Sequence, residues 1–204
     1  MTDKEVKSTE EKIIDAAEEV FHEKGYFGAR MREIADRAGI NKGLLHYYYK
    51  SKAKLFESIF SVAKNKMISR IQVILEGDAP IQSKIDALVD QYMDMVLKNP
   101  NLPRFVLNEL NNNADDFVSK HFDEVVKLTF SNFQQAIQSE VDLGHLKPID
   151  ARQLLVNIIS LVIFPVVAKP VLKSLVALSE EEYQAFMEER RQQVKAFVHD
   201  ALRP

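Results

Sequence analysis

RMREIADRAGINKGLLHYYYKSK, residues 30–52, is the stretch that decides the fold of this chain. Met31, Ile34, Ala35 and Ala38 recur at helical spacing, and Gly39 stops the run. Asn41 is then a good N-cap for a second short helix, Lys42 to about Tyr48, because its side-chain oxygen can take a backbone N–H that the first turn leaves free. Only Gly39, Ile40 and Asn41 lie between the two helices. Two short helices joined by a three-residue, glycine-opened turn are the mark of a helix-turn-helix, whose second helix enters the major groove of DNA.

Outward from this pair the punctuation is helical throughout, so the fold class is all-α. Ser8 and Glu11 form a capping box, and Ile13, Ile14, Ala17, Val20 and Phe21 recur at helical spacing until Gly25, giving a first helix over about Thr9–Lys24. Ser51 caps a long fourth helix, Lys52–Glu76, closed by Gly77. A fifth starts after Asp78-Ala79-Pro80 and ends before Asn99-Pro100, and a short sixth runs from Asn101-Leu102-Pro103 to the three asparagines. A seventh is expected from about Asp115 to Val141 before Gly144. The eighth runs from Asp150 to about Ala168 with a bend at Pro165, and the ninth from the capping box Ser179/Glu182 to about Leu202. This nine-helix reading divides into a three-helix domain over 1–51 and a helical domain over 52–204.

Composition agrees with a packed helical protein. Of 204 residues 46% are apolar, and there are only 6 glycines and 7 prolines. The absence of cysteine excludes disulfides, thiolate zinc sites and cysteine nucleophiles, and makes a cytoplasmic protein the simple expectation. The charged start, MTDKEVKSTEEK, does not read as a signal peptide. The most apolar run, Leu154–Leu178, is broken by Asn157, Pro165, Lys169, Pro170 and Lys173, so it reads as a helix buried against protein and not as a bilayer span.

Charge is unevenly spread. Residues 24–54 carry eight Lys or Arg against Glu33 and Asp36, a net of +6, so in a chain of net −3 the remainder carries −9. A basic segment on an acidic body is the footprint of a nucleic-acid contact, with an ordinary solvated face as the alternative.

The segment IIDAAEEVFHEKGYFGARMREIADRAGINKGLLHYYYKSKAKLFESI resembles the DNA-binding domain of TetR-family transcriptional repressors, densely and without gaps over about residues 12–59. Two departures stand out. Ala29 and Arg30 replace the usual Thr or Ser before the second helix, removing a side-chain cap and a phosphate hydroxyl, and His46 and Tyr49 stand where Tyr and Phe are common.

The DNA-binding residues expected are Arg30, Asn41, Lys42, Gly43, His46, Tyr47, Tyr48 and Lys52. Lys42 and Gly43 open the short reading helix and face base edges, with phosphate as the other assignment for Lys42. Leu45 is expected to pack on Ile34 and Ala38 while Leu44 is left for a thymine methyl. Three consecutive tyrosines cannot share one helix face, because each residue advances by about 100°. By resemblance, Tyr47 and Tyr48 donate to phosphates and Tyr49 takes a core position. His46 is a phosphate or base-edge donor, or a plain surface histidine. Lys52, in the first turn of the fourth helix, is expected to reach the DNA backbone.

The resemblance further implies a ligand pocket among helices 4–7, and a homodimer through helices 8 and 9 on double-stranded, palindromic operator DNA. Helix 8 is apolar on more than one face (Leu154, Leu155, Ile158, Ile159, Leu161, Val162, Ile163, Phe164), which fits pairing, a fully internal helix being the alternative. Tyr92, Phe105, Asn108, His121, Phe130 and Phe133 are the candidate ligand residues, with Arg104 and Gln134 as further polar handles and an ordinary core as the bland reading of each. They point to an apolar or amphipathic small-molecule inducer acting through helix 4 on a repressor. No cofactor or metal is expected, since the five histidines are scattered and form no H-x-x-x-H pair, and no catalytic motif is present. The alternative is a helical small-molecule-binding or adaptor protein without operator-specific DNA binding.

Overall fold

The structure, a computed structural model, describes residues 8–204, so the first seven residues of the charged start lie outside the described residues. The described residues form ten α-helices: α1 Thr9–Gly28, α2 Met31–Arg37, α3 Lys42–Tyr48, α4 Lys52–Glu76, α5 Ile81–Lys98, α6 Leu102–His121, α7 Glu124–Asp142, α8 Ala151–Val167, α9 Lys169–Leu175 and α10 Glu180–Leu202. They divide into two compact units, Met1–Asn65 and Lys66–Pro204, with the division inside α4 instead of at its start. The first turns of α4 supply Leu55, Phe56, Ile59 and Phe60 to the buried residues of the first unit, which is why the cut falls later than 51/52.

In the first unit α1 opens with the Ser8–Glu11 capping box, Ser8 N–H donating to Glu11 at 2.7 Å. Regular helix breaks at Gly25, whose φ of +67° suits a residue without a Cβ. α1 buries Ile13, Ala16, Ala17, Val20 and Phe21, α2 buries Ile34 and Ala35, and α3 buries Leu45. An aromatic cluster pins α4 to α1: Phe56 meets Phe21 edge-on at 4.7 Å and Tyr26 at 5.2 Å. Gly39, at φ +71°, makes the turn between α2 and α3.

In the second unit α8 is the central element, packed against α5, α6, α7 and α10. Its Leu154, Ile158 and Val162, four residues apart, meet Ile85, Val89 and Met93 of α5, Phe133 and Ile137 of α7, and Met187, Val194 and Val198 of α10 in one core. Each such side chain stabilises the unit by about 1.5–3 kcal/mol on burial. A ladder of charge flanks this core: Asp86, Asp90 and Asp94 on α5 face His199, Lys195 and Arg191 on α10, with contacts of 2.7, 2.7 and 2.6 Å.

The expected helices are corrected at two places, the first of which raises the count from nine to ten. Pro165 lies inside α8, but the chain breaks after Val167 and continues as α9 at 73° to α8. Proline has no N–H, so the Leu161 carbonyl loses its helical donor, and Arg190 of α10 donates to it at 3.3 Å. Tyr183 donates to the Pro165 carbonyl at 3.1 Å, and Arg104 donates to Val167 at 3.4 Å. Three side chains thus satisfy the carbonyls that the break exposes. The second correction concerns α6, which does not end at the asparagines. Its backbone deviates at Asn113 (φ −156°, ψ 46°) but the helix resumes and runs to His121. The cap of α7 is therefore Asp123, accepting from Val126 N–H at 3.1 Å, and not Asp115. No single helix among the described residues is long and apolar enough to cross a membrane.

Candidate functional site

The cations from Lys24 to Lys42 fall into two groups. Arg37 is held by a two-pronged contact to Glu23 at 2.6 and 2.8 Å, with Glu19 and Glu33 at 3.5 and 3.7 Å, and Lys24 pairs with Glu33 at 2.6 Å. The hydrogen bond from Arg37 lowers the pKa of the Glu23 carboxyl. These charges are used inside the fold. Arg30, Arg32 and Lys42, by contrast, are exposed and have no ion pair or hydrogen bond among the described residues.

Their positions give this difference meaning. Arg30 is the N-cap residue of α2 and makes no side-chain cap, Arg32 lies in the first turn of α2, and Lys42 is the first residue of α3. A cation at a helix N-terminus opposes the helix dipole, so it is unfavourable there until an anion arrives. Two successive helices therefore open with unpaired cations beside free backbone N–H groups, an arrangement that suits phosphate oxygens. Arg32 was not among the expected DNA-binding residues, and its signal is visible in the sequence as a base where an acid is the favourable choice.

α3 presents its own face in the same manner. Asn41 accepts from Leu44 N–H at 2.8 Å, so its side-chain oxygen is used as a cap. A Cβ on Gly43 would sit 3.2 Å from that oxygen, which gives the glycine a second reason to be there. Leu45 and Tyr49 are buried while Leu44, His46, Tyr47 and Tyr48 are exposed. Tyr47 is 72% exposed and its ring lies 5.7 Å from Lys50. The Tyr49 hydroxyl donates to Glu10 at 3.0 Å, and burial first, then that hydrogen bond, push its pKa up to about 12.

Lys52 is placed differently from the sequence expectation of a DNA-facing base. Its ammonium donates to the Ala29 and Phe27 carbonyls at 3.1 and 3.4 Å and lies 4.7 Å from the centre of the Tyr26 ring. It ties the start of α4 to the segment between α1 and α2. Ser51 caps α4, accepting from Lys54 N–H at 3.2 Å.

The candidate ligand residues of the second unit form two groups. Phe105, Phe117 and His121 share α6, with ring centres 6.3 and 4.7 Å apart, and all three are buried. Phe130 and Phe133 of α7 stack at 6.4 Å, and with Tyr92 of α5 they adjoin the core around α8. Burial raises the pKa of the Tyr92 hydroxyl, which has no hydrogen bond among the described residues. Asn108 is exposed on α6, its carbonyl accepting from Asn112 at 2.7 Å, and joins neither group. Arg104 is committed to the end of α8, and Gln134 lines a polar groove of about 520 Å³ between α7 and the start of α8. No cluster of metal-ligating side chains occurs among the described residues.

A helix-turn-helix with unpaired cations at its helix starts, followed by a separate helical unit carrying buried aromatic groups, defines a ligand-responsive DNA-binding regulator. Two family models match: "Bacterial regulatory proteins, tetR family" over residues 13–59, and "Tetracyclin repressor-like, C-terminal domain" over residues 82–201. The chain belongs to the tetR family of bacterial transcriptional regulators. Among its relatives, the transcriptional activator FasR of Mycolicibacterium smegmatis is 31% identical over 84 residues, 41% of this chain and 38% of FasR, so the match spans well under half of that protein. The fatty acid metabolism regulator protein of Bacillus subtilis is 25% identical over 135 residues, 66% of this chain and 69% of its own length. The fold is shared with the crystal structure of Bacillus subtilis FadR in complex with stearoyl-CoA, at 20% identity and a TM-score of 0.61, covering 90% of this chain and 96% of FadR.

Proposed function

We propose that this protein is a repressor that binds a two-fold operator as a homodimer and is released by a long-chain acyl thioester. Residues 1–51, with the first turns of α4 packed on them, serve as the DNA-binding domain, and the remainder of residues 52–204 as the ligand-binding and dimerisation domain. Arg30, Arg32 and Lys42 meet the DNA first, the two arginines on phosphate. Lys42 and Gly43 lie at the base edges, with Tyr47, Tyr48 and His46 beside them. The observation that carries the reading is the presence of exposed cations without ion pairs among the described residues where α2 and α3 begin, while Lys24 and Arg37 of the same stretch are held by carboxylates.

The acyl thioester rests on the second unit and on the relatives. Tyr92, Phe130 and Phe133, with Phe105, Phe117 and His121, offer aromatic surface suited to an acyl chain, and the similar FadR holds stearoyl-CoA. The switch runs through α4, a single helix that starts at the Ser51 cap and continues to Glu76, so a ligand that displaces its later turns displaces its first turn too. The dimer face lies on the exposed apolar side chains of α8 and α10. Val156 and Phe164 are 56% and 62% exposed and Phe197 is 60% exposed, whereas Val162 is wholly buried in the core. A mobility-shift titration with a duplex from the protein's own promoter, against a random duplex and with added stearoyl-CoA, tests the proposal. Preferential binding of the promoter duplex and its loss with stearoyl-CoA are expected. Equal binding of both duplexes would leave the alternative of a helical ligand-binding protein without operator specificity.

A further inference from the structure

Phe27 is 94% exposed, the highest value of any large exposed apolar side chain among the described residues. It is also held in place. It follows the Gly25 break and precedes Ala29, which is 3% exposed, and its carbonyl accepts from Lys52 at 3.4 Å. Its ring meets Tyr26 edge-on at 5.5 Å, and Tyr26 is anchored on Phe56. A single exposed ring is ordinary on a protein surface and by itself assigns nothing; what singles this one out is the cation beside it. Three residues on stands Arg30, exposed at the start of α2 and without an ion pair among the described residues, so a partner for both would offer apolar surface beside negative charge. The sugars and base edges of a duplex, bordered by phosphates, have that chemistry.

We propose that Phe27 is a further operator-contacting residue, whose ring packs against sugars and base edges beside the segment read by α3. This inference rests on the DNA-binding reading above. It assigns the last turn of α1 a contact that carries no charge, and so one that salt does not weaken.

The chain contains no tryptophan, so Phe27→Trp introduces a single fluorescent reporter, and Tyr47→Trp, made separately, reports from α3. Promoter duplex, random duplex and anionic phosphatidylglycerol vesicles are titrated against each variant. The emission of Phe27→Trp is expected to change with promoter duplex and not with vesicles. Phe27→Ala is expected to weaken promoter binding about tenfold, the scale of losing one apolar side-chain contact that is removed from water, with the dependence on salt unchanged. Unchanged emission of Phe27→Trp on a duplex to which Tyr47→Trp responds would overturn the inference and leave the DNA-binding reading intact. A response of Phe27→Trp to vesicles alone would assign the ring to a membrane and overturn it as well. Failure of both reporters, with no shift of the promoter duplex by the wild type, would remove the DNA-binding reading and this inference with it.

Discussion

Replacing Arg30 with Ala should change the salt dependence of DNA binding, while replacing Arg37 should not, although both are arginines of the same short segment. The Arg30 side chain has no ion pair or hydrogen bond among the described residues, whereas Arg37 is committed to Glu23 at 2.6 and 2.8 Å. One phosphate neutralised per subunit contributes about 0.9 to the slope of log affinity against log salt, or about 1.8 for two subunits on one operator. Over a fourfold rise in salt, from about 50 to 200 mM, a slope difference of about 1.8 amounts to about a twelvefold change in the ratio of wild-type to variant affinity. Fluorescence anisotropy of a labelled promoter duplex, read at four or five salt concentrations, measures this directly. Arg30→Ala should converge on the wild type as salt rises, and Arg37→Ala should run parallel to it, offset by whatever α1 and α2 lose when Glu23 is left unpaired. Equal slopes for Arg30→Ala and wild type, or a slope change in Arg37→Ala as large as in Arg30→Ala, would refute the division of cations on which the interface rests.

Other outcomes follow from individual contacts. Lys52→Ala should lower the stability of the first unit by about 1–2 kcal/mol in urea titration, since a charged donor to two carbonyls and a contact with the Tyr26 ring are lost together. Its salt slope on DNA should stay close to that of the wild type, and a slope reduced by one contact would restore Lys52 to the phosphates. The Tyr49 hydroxyl has its pKa raised to about 12, above its ordinary value of about 10. The folded state therefore holds that proton longer than the unfolded state, and the stability this contributes is present below about pH 10 and lost as pH rises towards 12. Tyr49→Phe should flatten the fall in urea midpoint between pH 9 and pH 11, and an undiminished fall would exclude Tyr49 as its source. Val156→Glu or Phe164→Glu should give folded monomers in sedimentation, whereas Val162→Glu should unfold the second unit, because Val162 is wholly buried. A folded monomer from Val162→Glu would contradict the placement of α8.

The parts of the fold that sequence reveals are those decided by neighbouring residues. The caps at Ser8, Asn41, Ser51, Asp150 and Ser179 are each made by a side chain two or three positions from the backbone group it satisfies. Gly39 needs only its own positive φ. What stayed hidden depends on residues distant in the chain. The break between α8 and α9 is completed by Tyr183, Arg190 and Arg104, and the nearest of these, Tyr183, is 18 positions from the Pro165 carbonyl that it serves. The three asparagines look like a helix end, yet only the backbone at Asn113 deviates and the helix continues. The inward turn of Lys52 depends on carbonyls more than 20 residues earlier, so a base in the first turn of a helix looked available for DNA. In the sequence the candidate ligand residues are marked by side-chain type alone, which does not tell an exposed position such as Asn108 from a buried one such as His121.

The reciprocal measurement bears most directly on the central claim, that one chain couples an operator to an acyl thioester. Stearoyl-CoA is titrated by calorimetry into the full-length protein, alone and with saturating promoter duplex. Linkage requires that if the ligand loosens the operator, the operator loosens the ligand by the same factor, about 5- to 150-fold for a coupling of about 1–3 kcal/mol. Weaker stearoyl-CoA binding in the presence of operator, with a ratio matching the loss of operator affinity at saturating ligand, is the expected result. Equal affinity with and without operator would contradict it, and would leave a DNA-binding protein whose control does not pass from the second unit through α4.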